Sequence, residues 1–450
     1  MGVLITAHLE LRKSNHESLV MTATAPALDP RAWIRVFGAL EVTGDARPAK
    51  AITWDSRLVN TDTAFVALAG EQMHGNRFVN AALEAGAPFV LTDLNVPRAV
   101  RVNDAAVALR VWARAWRDTT NARIVGVTGS AGKTTLKEFL AVTLEAGKTP
   151  GNLNTLNALA CHMLSAIGQN ETHVLEMGID RIGEMAQLVQ LVRPDLGMIS
   201  SIGPAHLEFL GSVEGVAFEK GHILDGNPGL VAESTGKYYP GIATYGFGER
   251  ATHRGTNLEL SDSSTTFEFA GHTVFVSSPS AKVAEAALGA LAVAKNFGAN
   301  LEAAIARIKN VEVPGGRMRI ERGKVNLIDD AYNANPLSLT AALEVLERQP
   351  GRKIAVIGDM RELGEHSHQY HLEIGKRAGE VAPIVIAVGR EAETLARAAR
   401  VSGAKSQAFA TALEAVPAVE AILALGDVVL VKGSLSVGMN VISEAVRARL

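Results

Sequence analysis

Short apolar runs rich in valine and isoleucine alternate along the chain with segments of helical periodicity. Examples are "ARIVGVTG", "KIAVIGD" and "DVVLVKG", each followed by a helix-like stretch. Apolar runs of this length are typical of strands buried on both faces, and strands that alternate with helices are typical of parallel sheets. The sequence therefore predicts an α/β architecture with mostly parallel sheets.

The length and the turn residues indicate several domains. The 450 residues allow for two to four domains at about 100–200 residues each. We expect a disordered or irregular N-terminal extension at 1–29, a small α/β domain at 30–118, a central P-loop-type domain at 119–314 and a C-terminal Rossmann-like, doubly wound domain at 315–450. The proline and glycines of "VEVPGGRM" mark the linker between the last two domains.

Composition excludes several classes of protein. A net charge of −3, from 44 basic and 47 acidic residues, leaves no basic excess for nucleic acid. No apolar run reaches the ~18 residues of a membrane span, and the N-terminus has too many charges for a signal peptide. The single cysteine, Cys161, rules out an internal disulfide framework and fits a reducing compartment. We therefore expect a cytoplasmic protein without integral membrane association.

The stretch "VGVTGSAGKTT", residues 125–135, predicts a nucleotide site. A strand, a glycine-rich turn and a helix bring backbone N–H groups and a helix N-terminus to bound phosphates. Lys133 would neutralise β- and γ-phosphate charge, and the Thr134 hydroxyl would hold Mg²⁺. The usual spacing asks for a glycine at position 127, where this chain has valine. A tight turn that merely opens a helix is the alternative interpretation.

Three further residues are candidates by their positions. Glu176 ends the strand "VLEMG", where a carboxylate suits Mg²⁺, although a solvated strand-end glutamate would look the same. His206 follows the strand "LGMISSIG", and a single histidine is more often structural than a ligand. Lys220 lies on a predicted helix, and sequence physics alone would make it a solvated surface charge.

These stretches together resemble the Mur ligase family, the ATP-dependent enzymes that form amide bonds in peptidoglycan synthesis. The resemblance covers residues ~40 to 435 and also rests on "GNLNTLNAL", "GPAHLEFLGSVEGVAFEKG" and "VLVKGS". It is strongest to the branch that adds D-alanyl-D-alanine, because "DDAYNANP" and "GDMRELG" are much more specific to that branch than the loop is. In the family the first loop glycine is displaced by one residue, which corresponds here to Gly126.

The resemblance implies an activity and its partners. It implies three domains, ATP and Mg²⁺ as cofactors, and UDP-N-acetylmuramoyl-tripeptide and D-alanyl-D-alanine as substrates of a monomeric enzyme. ATP would phosphorylate the terminal carboxylate of the tripeptide, and the dipeptide amine would attack the acyl phosphate. ADP and phosphate would leave.

The resemblance also implies roles for residues that match the family's motifs. Catalysis would involve Lys133, Glu176, His206 and Lys220, and the metal ligands would be Thr134, Glu176, His206 and a carbamylated Lys220. ATP would be bound by Gly129, Ser130, Ala131, Gly132, Lys133, Thr134, Thr135, Arg317 and Asp330. Substrates would be bound by Asp55, Ser56 and Arg57 at the uridine-nucleotide end, and by Asn152, Asn154, Tyr332, Asn333 and Asn335 at the reacting end.

The chain departs from the family pattern at several positions. Where the family has a His-Asn pair whose asparagine contacts adenine, this chain has Ala281 and Lys282, and after "GNLN" it has Thr155. "VLVKGS" continues as "LSVGMN" rather than with arginines. Two other functions therefore stay open: a Mur-type ligase that uses a different amine, and a nucleotide-binding regulatory protein.

Overall fold

The computed structural model describes residues 28–70, 73–168, 171–309, 311 and 316–450. They form two compact units: residues up to Asn121 together with Ala160–Ala166, and the other residues from Ala122 onwards. The extension predicted at 1–29 falls almost wholly outside the described residues, as do residues 312–315 of the predicted linker. The predicted domain boundaries stay predictions.

The first unit contains a small α/β sheet. Its elements are α1 (Pro30–Trp33), β1 (Glu41–Val42), β2 (Ala51–Thr53), β3 (Thr63–Val66), α2 (Val79–Glu84), β4 (Val90–Thr92), β5 (Ala99–Arg101) and α3 (Ala105–Thr119). The strand order is β1-β5-β4-β3-β2, parallel except at β1. The Asp104 carboxylate caps α3, and Trp112 on α3 stacks on Phe37 and Phe89 with ring centroids 4.6 and 5.8 Å away. Each such pair adds about 0.5–1.5 kcal/mol beyond area burial.

The second unit begins with a seven-stranded sheet that is parallel throughout. Its strands are β6 (Arg123–Thr128), β7 (Gly147–Lys148), β8 (Thr172–Glu176), β9 (Leu196–Ile199), β10 (Gly229–Ala232), β11 (Ala243–Gly246) and β12 (His253–Arg254). They lie in the order β12-β11-β10-β9-β6-β8-β7. The helices of this region are α4 (Lys133–Leu144), α6 (Glu184–Val192), α7 (Leu207–Leu210), α8 (Val213–Gly221), α9 (Ala281–Asn296) and α10 (Leu301–Ile308). Helix α5 (Leu156–Ala166) begins in this unit, and its residues from Ala160 onwards belong to the first unit.

A three-stranded antiparallel sheet precedes α9 and was not predicted. It consists of β13 (Thr256–Leu260), β14 (Thr265–Phe269) and β15 (His272–Val276). Buried residues alternate along β14, so Phe267 and Phe269 join the core that contains α4 and α9. The other face of the sheet is partly exposed and, apart from Phe275, polar. The long apolar runs on which the prediction relied are therefore missing.

The C-terminal part of the second unit is a six-stranded sheet flanked by helices. Its strands are β16 (Arg319–Glu321), β17 (Asn326–Asp330), β18 (Lys353–Gly358), β19 (Ile384–Val388), β20 (Lys405–Phe409) and β21 (Val428–Lys432), and its helices are α11 (Pro336–Arg348), α12 (Ser367–Val381), α13 (Ala392–Val401), α14 (Ala412–Ile422) and α15 (Asn440–Arg447). The order is β16-β17-β21-β18-β19-β20, parallel except at β16. The α/β prediction and its four C-terminal strands are confirmed, while the half-exposed edge strand β20 was missed.

The parallel sheets determine where a ligand can bind. Strands β6, β8 and β9 end at one edge of the central sheet, and β17 and β21 end at one edge of the C-terminal sheet. Ligands of open α/β sheets gather at these carboxyl ends. In the described ranges, no helix is both long and apolar enough to cross a bilayer.

Candidate active site

The predicted phosphate loop joins β6 to α4. Gly129 has φ 149° and Gly132, the N-cap of α4, has φ 79°, conformations that favour glycine. A Cβ on Gly129 would also lie 2.1 Å from the Ser200 hydroxyl. Gly126 instead lies inside β6, where an added Cβ would be 2.8 Å from the sulfur of Met177. The displaced first glycine is therefore a packing residue of the strand and not part of the turn.

Segment 200–203 holds the first half of the loop in place. The Ser130 N–H donates to the Ser201 carbonyl at 2.9 Å, and the Ala131 N–H donates to the Ser201 hydroxyl at 2.8 Å. The Ser130 hydroxyl donates to Gly203 O at 3.0 Å. The first N–H groups of α4, from Lys133 onwards, have no partner within the helix. The backbone N–H groups that remain for an anion therefore lie at the α4 N-terminus. Ser201, which engages the earlier N–H groups of the loop, was not identified from the sequence.

Lys133 folds back over the loop. Its Nζ donates to the Gly129 carbonyl at 2.8 Å. Burial lowers the pKa of Lys133, and Glu176 partly offsets this effect by favouring the charged form. The lysine is thus held at the helix N-terminus within reach of a phosphate.

Glu176 ends β8 and is almost completely buried. One carboxylate oxygen accepts a hydrogen bond from the Thr134 hydroxyl at 2.8 Å, and the other accepts one from the Asn154 amide at 3.0 Å. Three residues predicted from separate motifs therefore meet at one carboxylate. Its burial argues against the alternative of a solvated strand-end glutamate.

Lys137 is a site neighbour that the sequence analysis missed. Its fully buried Nζ donates to Gly151 O at 2.7 Å and lies 3.5 Å from a Glu176 oxygen. Lys137 follows Lys133 by four residues and therefore lies on the same face of α4. The spacing of four residues from Lys133 is therefore a sequence signal that could have predicted Lys137 as a neighbour of the site.

His206 lies at the N-cap of α7 with φ 55°, a left-handed conformation that is uncommon for histidine. Its Nδ1 lies 2.5 Å from a carboxylate oxygen of Glu362, which follows β18. The pKa of Glu362 is lowered, chiefly by this contact with His206. No sequence signal had linked these two residues.

Lys220 contradicts the expectation of a solvated surface lysine. It lies on α8 with no solvent exposure, and its Nζ has no hydrogen-bond partner among the described residues. Burial lowers the pKa of Lys220 well below the usual value, and the positive charge of Lys133 lowers it further. A buried, unpartnered ammonium is costly, so the neutral amine is favoured at this position.

The C-terminal candidates surround a buried ion pair. Asp330 ends β17, and one of its oxygens lies 2.7 Å from Nζ of Lys432, which ends β21. Lys432 also donates to Asn333 O at 2.8 Å. The guanidinium of Arg317 stacks 3.7 Å from the centroid of the Tyr332 ring. Lys432 belongs to the motif "VLVKGS" but was not predicted as a site residue. A lysine at the end of a buried strand is a sequence signal that could have predicted it.

Asn335 connects the C-terminal helix α11 to the phosphate loop. Its side chain accepts from Ser338 N at 2.9 Å as the N-cap of α11, and its amide donates to Ser130 O at 2.9 Å. The same residue thus begins a helix and contacts the loop.

Replacing Asn335 should separate these two contacts. We expect Asn335→Ala to lower the free energy of unfolding by about 0.5–2 kcal/mol, the usual effect of losing an N-cap. Asn335→Ser keeps a capping hydroxyl but cannot reach Ser130, so it should weaken ADP binding about 5-fold, roughly one hydrogen bond, with near-normal stability. Urea unfolding and calorimetric titration with ADP would measure both effects. If Asn335→Ser were as unstable as Asn335→Ala, the contact with Ser130 would be what stabilises α11.

Helix α9 begins at the two positions, 281 and 282, where this chain differs from the His-Asn pair of the family. Ala281 opens the helix, and Lys282 forms a 2.8 Å ion pair with Glu285. Lys282 and Glu285 both line the cavity described next.

A cavity of about 920 Å³ is lined by most of the predicted site residues of the second unit. Among the predicted site residues, its lining includes Ser130, Ala131, Gly132, Lys133, Thr134, Thr135, Asn152, Asn154, Glu176, His206, Arg317, Asp330, Tyr332, Asn333 and Asn335. Gly129 and Lys220 do not line it. The cavity volume is large enough for a nucleotide.

Asp55, Ser56 and Arg57 belong to the first unit and follow β2. Asp55 caps the short 3₁₀ helix Ser56–Leu58 and pairs with Arg57 at 2.6 Å. Hydrogen bonds from the Arg57 side chain lower the pKa of Asp55 to about 2. These residues form a charged turn at a strand end, with Asp55 and Ser56 partly buried and Arg57 exposed.

The fold and cavity define a nucleotide-binding protein of the P-loop type. Comparison with protein-family models matches residues 127–306 to the Mur ligase middle domain and residues 316–435 to the glutamate ligase domain of Mur ligases. The UDP-N-acetylmuramoyl-tripeptide–D-alanyl-D-alanine ligase of Escherichia coli is 32% identical over 445 residues, which span 91% of this chain and 95% of that one. The chain belongs to the Mur ligase family.

Solved structures agree with this assignment. MurF from Acinetobacter baumannii superposes with a TM-score of 0.81 at 27% identity, covering 93% of this chain and 98% of the other. MurF from Thermotoga maritima in complex with ADP superposes with a TM-score of 0.77 at 28% identity, covering 88% and 96%. The three-domain α/β fold implied by the resemblance is confirmed.

Proposed function

We propose that this chain is the ATP-dependent ligase that joins D-alanyl-D-alanine to UDP-N-acetylmuramoyl-tripeptide. The observation that carries the proposal is the 32% identity to a ligase of this name across 91% of the chain. The meeting of Thr134, Asn154 and Glu176 at one carboxylate supports it, because these residues come from separate motifs.

ATP would bind with its phosphates at the N-terminus of α4. The backbone from Gly129 to Thr135 would surround them, and Lys133 would exchange its hydrogen bond to Gly129 O for phosphate oxygens. Arg317 and Asp330 would contact the nucleotide from the C-terminal side of the cavity. Positive charge that is already in place costs no reorganisation when negative charge develops on the γ-phosphate.

The site fits Mg²⁺ by its donor chemistry. A hydroxyl and a carboxylate lie in hydrogen-bond contact at Thr134 and Glu176, and oxygen ligands of this kind suit Mg²⁺. Within the described ranges no three His, Cys, Asp or Glu side chains are grouped to hold a metal by themselves, so part of the ligand set would come from nucleotide phosphates and water. Thr134, Glu176 and His206 would be the protein ligands. When bound, Mg²⁺ would neutralise phosphate charge and orient the reacting groups.

Lys220 would act as a carbamate. Its buried and unpartnered amine, whose pKa is lowered by burial, favours the neutral form that attacks CO₂. An N–C bond would form, one proton would be released, and the neutral amine would become an anion with two oxygens. These oxygens would be ligands for a second Mg²⁺.

The remaining predicted residues would bind the substrates. Asn152 and Asn154 would face the tripeptide carboxylate, while Asp55, Ser56 and Arg57 would contact the uridine nucleotide. Tyr332, Asn333 and Asn335 would contact the incoming dipeptide. The carboxylate oxygen would attack the γ-phosphate to give an acyl phosphate and ADP, and the dipeptide amine would then displace phosphate and lose a proton. Enclosure of the acyl phosphate would protect it from water.

The test is a turnover assay with ATP, Mg²⁺, UDP-N-acetylmuramoyl-tripeptide and D-alanyl-D-alanine. We expect release of ADP and phosphate that depends on both the tripeptide and the dipeptide, with an amide product of the combined mass. Absence of dipeptide-dependent ADP release would contradict the proposal. Turnover with another amine from a parallel panel would identify a Mur-type ligase of different specificity. ADP binding without turnover for any amine would indicate a regulatory protein.

A further inference from the structure

We propose that Glu362 is a positioning residue for His206, so that the C-terminal domain orients a residue of the central site. The inference rests on the proposed function, because it concerns His206 as a ligand of Mg²⁺. Glu362 belongs to the loop after β18 and His206 to the loop after β9, and both line the cavity.

The first observation is the side-chain contact. Glu362 approaches Nδ1 of His206 to 2.5 Å, at an angle that falls outside hydrogen-bond geometry, and the imidazole is largely buried, with 23% of its side-chain surface exposed. A histidine that ligates a metal commonly donates its other ring N–H to a carboxylate, which sets the tautomer and the ring orientation. With the proton on Nδ1, the lone pair for a metal lies on Nε2.

The second observation is backbone strain on both sides of this contact. His206 has φ 55° and Glu362 has φ 63°. A non-glycine residue in this region is strained and persists only where its surroundings hold it. His206 follows strand β9 of the central sheet and Glu362 follows strand β18 of the C-terminal sheet, and these two strained residues contact each other at the cavity.

The third observation is that Glu362 also holds the loop through its backbone. Glu208 N, two residues after His206, donates to the Glu362 carbonyl at 3.1 Å. Gly364 passes so close that an added Cβ would lie 3.1 Å from Glu208 Cα. The side chain and the carbonyl of Glu362 therefore constrain the same short segment.

A further contact joins the preceding segment, 200–203, to helix α11 of the C-terminal region. Leu337 of α11 packs on Gly203, where an added Cβ would be 2.3 Å from a Leu337 methyl carbon. Ser130 bonds Gly203 on one side and Asn335 on the other. The orientation of His206 is thus determined by the C-terminal domain and not by the central domain alone.

The experiment compares Glu362→Ala and Glu362→Gln with Glu365→Ala, an exposed glutamate three residues away that serves as the control. Mn²⁺ is the probe, titrated into the full-length protein with saturating ADP and followed by electron paramagnetic resonance. Loss of an outer hydrogen-bond partner commonly weakens metal binding about 10–100-fold. We expect at least a 10-fold loss for Glu362→Ala, wild-type affinity for Glu365→Ala, and recovery of most of the affinity in Glu362→Gln, whose amide oxygen remains an acceptor beside Nδ1.

Steady-state kinetics give a second measurement. Glu362→Ala should require about 10-fold more Mg²⁺ for half-maximal turnover, while the KM for ATP changes little. Wild-type Mn²⁺ affinity in Glu362→Ala, or equal losses in Glu362→Ala and Glu362→Gln, would overturn the inference. If wild-type protein had no dipeptide-dependent turnover, the proposed function would fail instead, and the Mn²⁺ titrations would still test the positioning of His206.

Discussion

Lys133→Ala is expected to reduce ligase turnover by about 10²–10³-fold, the usual effect of removing one group that stabilises transition-state charge. Lys133 lies at the N-terminus of α4 with its Nζ on the Gly129 carbonyl, ready to move to a phosphate oxygen. The N–H groups of α4 remain in the variant, so nucleotide binding should weaken less than turnover. The measurement is kcat and the KM for ATP in the dipeptide-dependent assay, together with ADP affinity by calorimetry.

The control for Lys133→Ala is Lys376→Ala, which removes an exposed lysine from α12. We expect wild-type kinetics for the control and unchanged thermal melting for both variants. A Lys133→Ala protein that kept more than about a tenth of wild-type kcat would contradict the phosphate role, given the usual size of such effects.

Lys220→Met should abolish turnover and yet leave the protein at least as stable as wild type. Methionine fills the space of the buried side chain and removes an amine that has no hydrogen-bond partner among the described residues. An unsatisfied buried polar group costs about 1–3 kcal/mol, so the free energy of unfolding should rise by up to that amount. Urea unfolding is best performed on protein depleted of CO₂, because a carbamate would change the wild-type reference.

Two comparisons make the Lys220 prediction specific. Lys220→Arg retains the positive charge but cannot form a stable carbamate, so it should be as inactive as Lys220→Met and less stable than it. Wild-type protein in ¹³C-labelled bicarbonate should give a carbamate carbonyl resonance that is missing in both variants. Turnover in Lys220→Met, or a wild-type protein without the resonance, would refute the carbamate role.

The local parts of the site could be predicted from the sequence. The strand, turn and helix around Lys133 form a continuous segment whose periodicity and glycines determine their own conformation, and β8 places Glu176 at its end because a buried strand ends where the apolar run ends. Residues from distant segments could not be predicted as neighbours. Lys432 and Glu362 reach the cavity through strand order and loop conformation, and Lys137 reaches the Glu176 carboxylate through helix facing. Of these, only the helix facing is readable from local spacing.

Gly126 shows what a motif leaves unexplained. It was predicted as the displaced first glycine of the loop motif, and it lies inside β6, where the side chain of Met177 leaves no room for a Cβ. The position of this glycine is readable from the sequence, while its physical reason, packing across the sheet, is not. Strands β13 to β15 were not predicted for a different physical reason. Only one face of their sheet is buried, so buried and partly exposed residues alternate along the strand and no long apolar run appears in the sequence.

The sequence by itself determined the α/β class, the phosphate loop, the candidate residues and the family, because these depend on short-range periodicity and contiguous motifs. The tertiary structure alone decided that Lys220 is buried and unpartnered, that Asp330 is paired with Lys432, and that Glu362 contacts His206. Burial and pairing between distant segments depend on which strands become neighbours, and that choice is made by packing of the whole core.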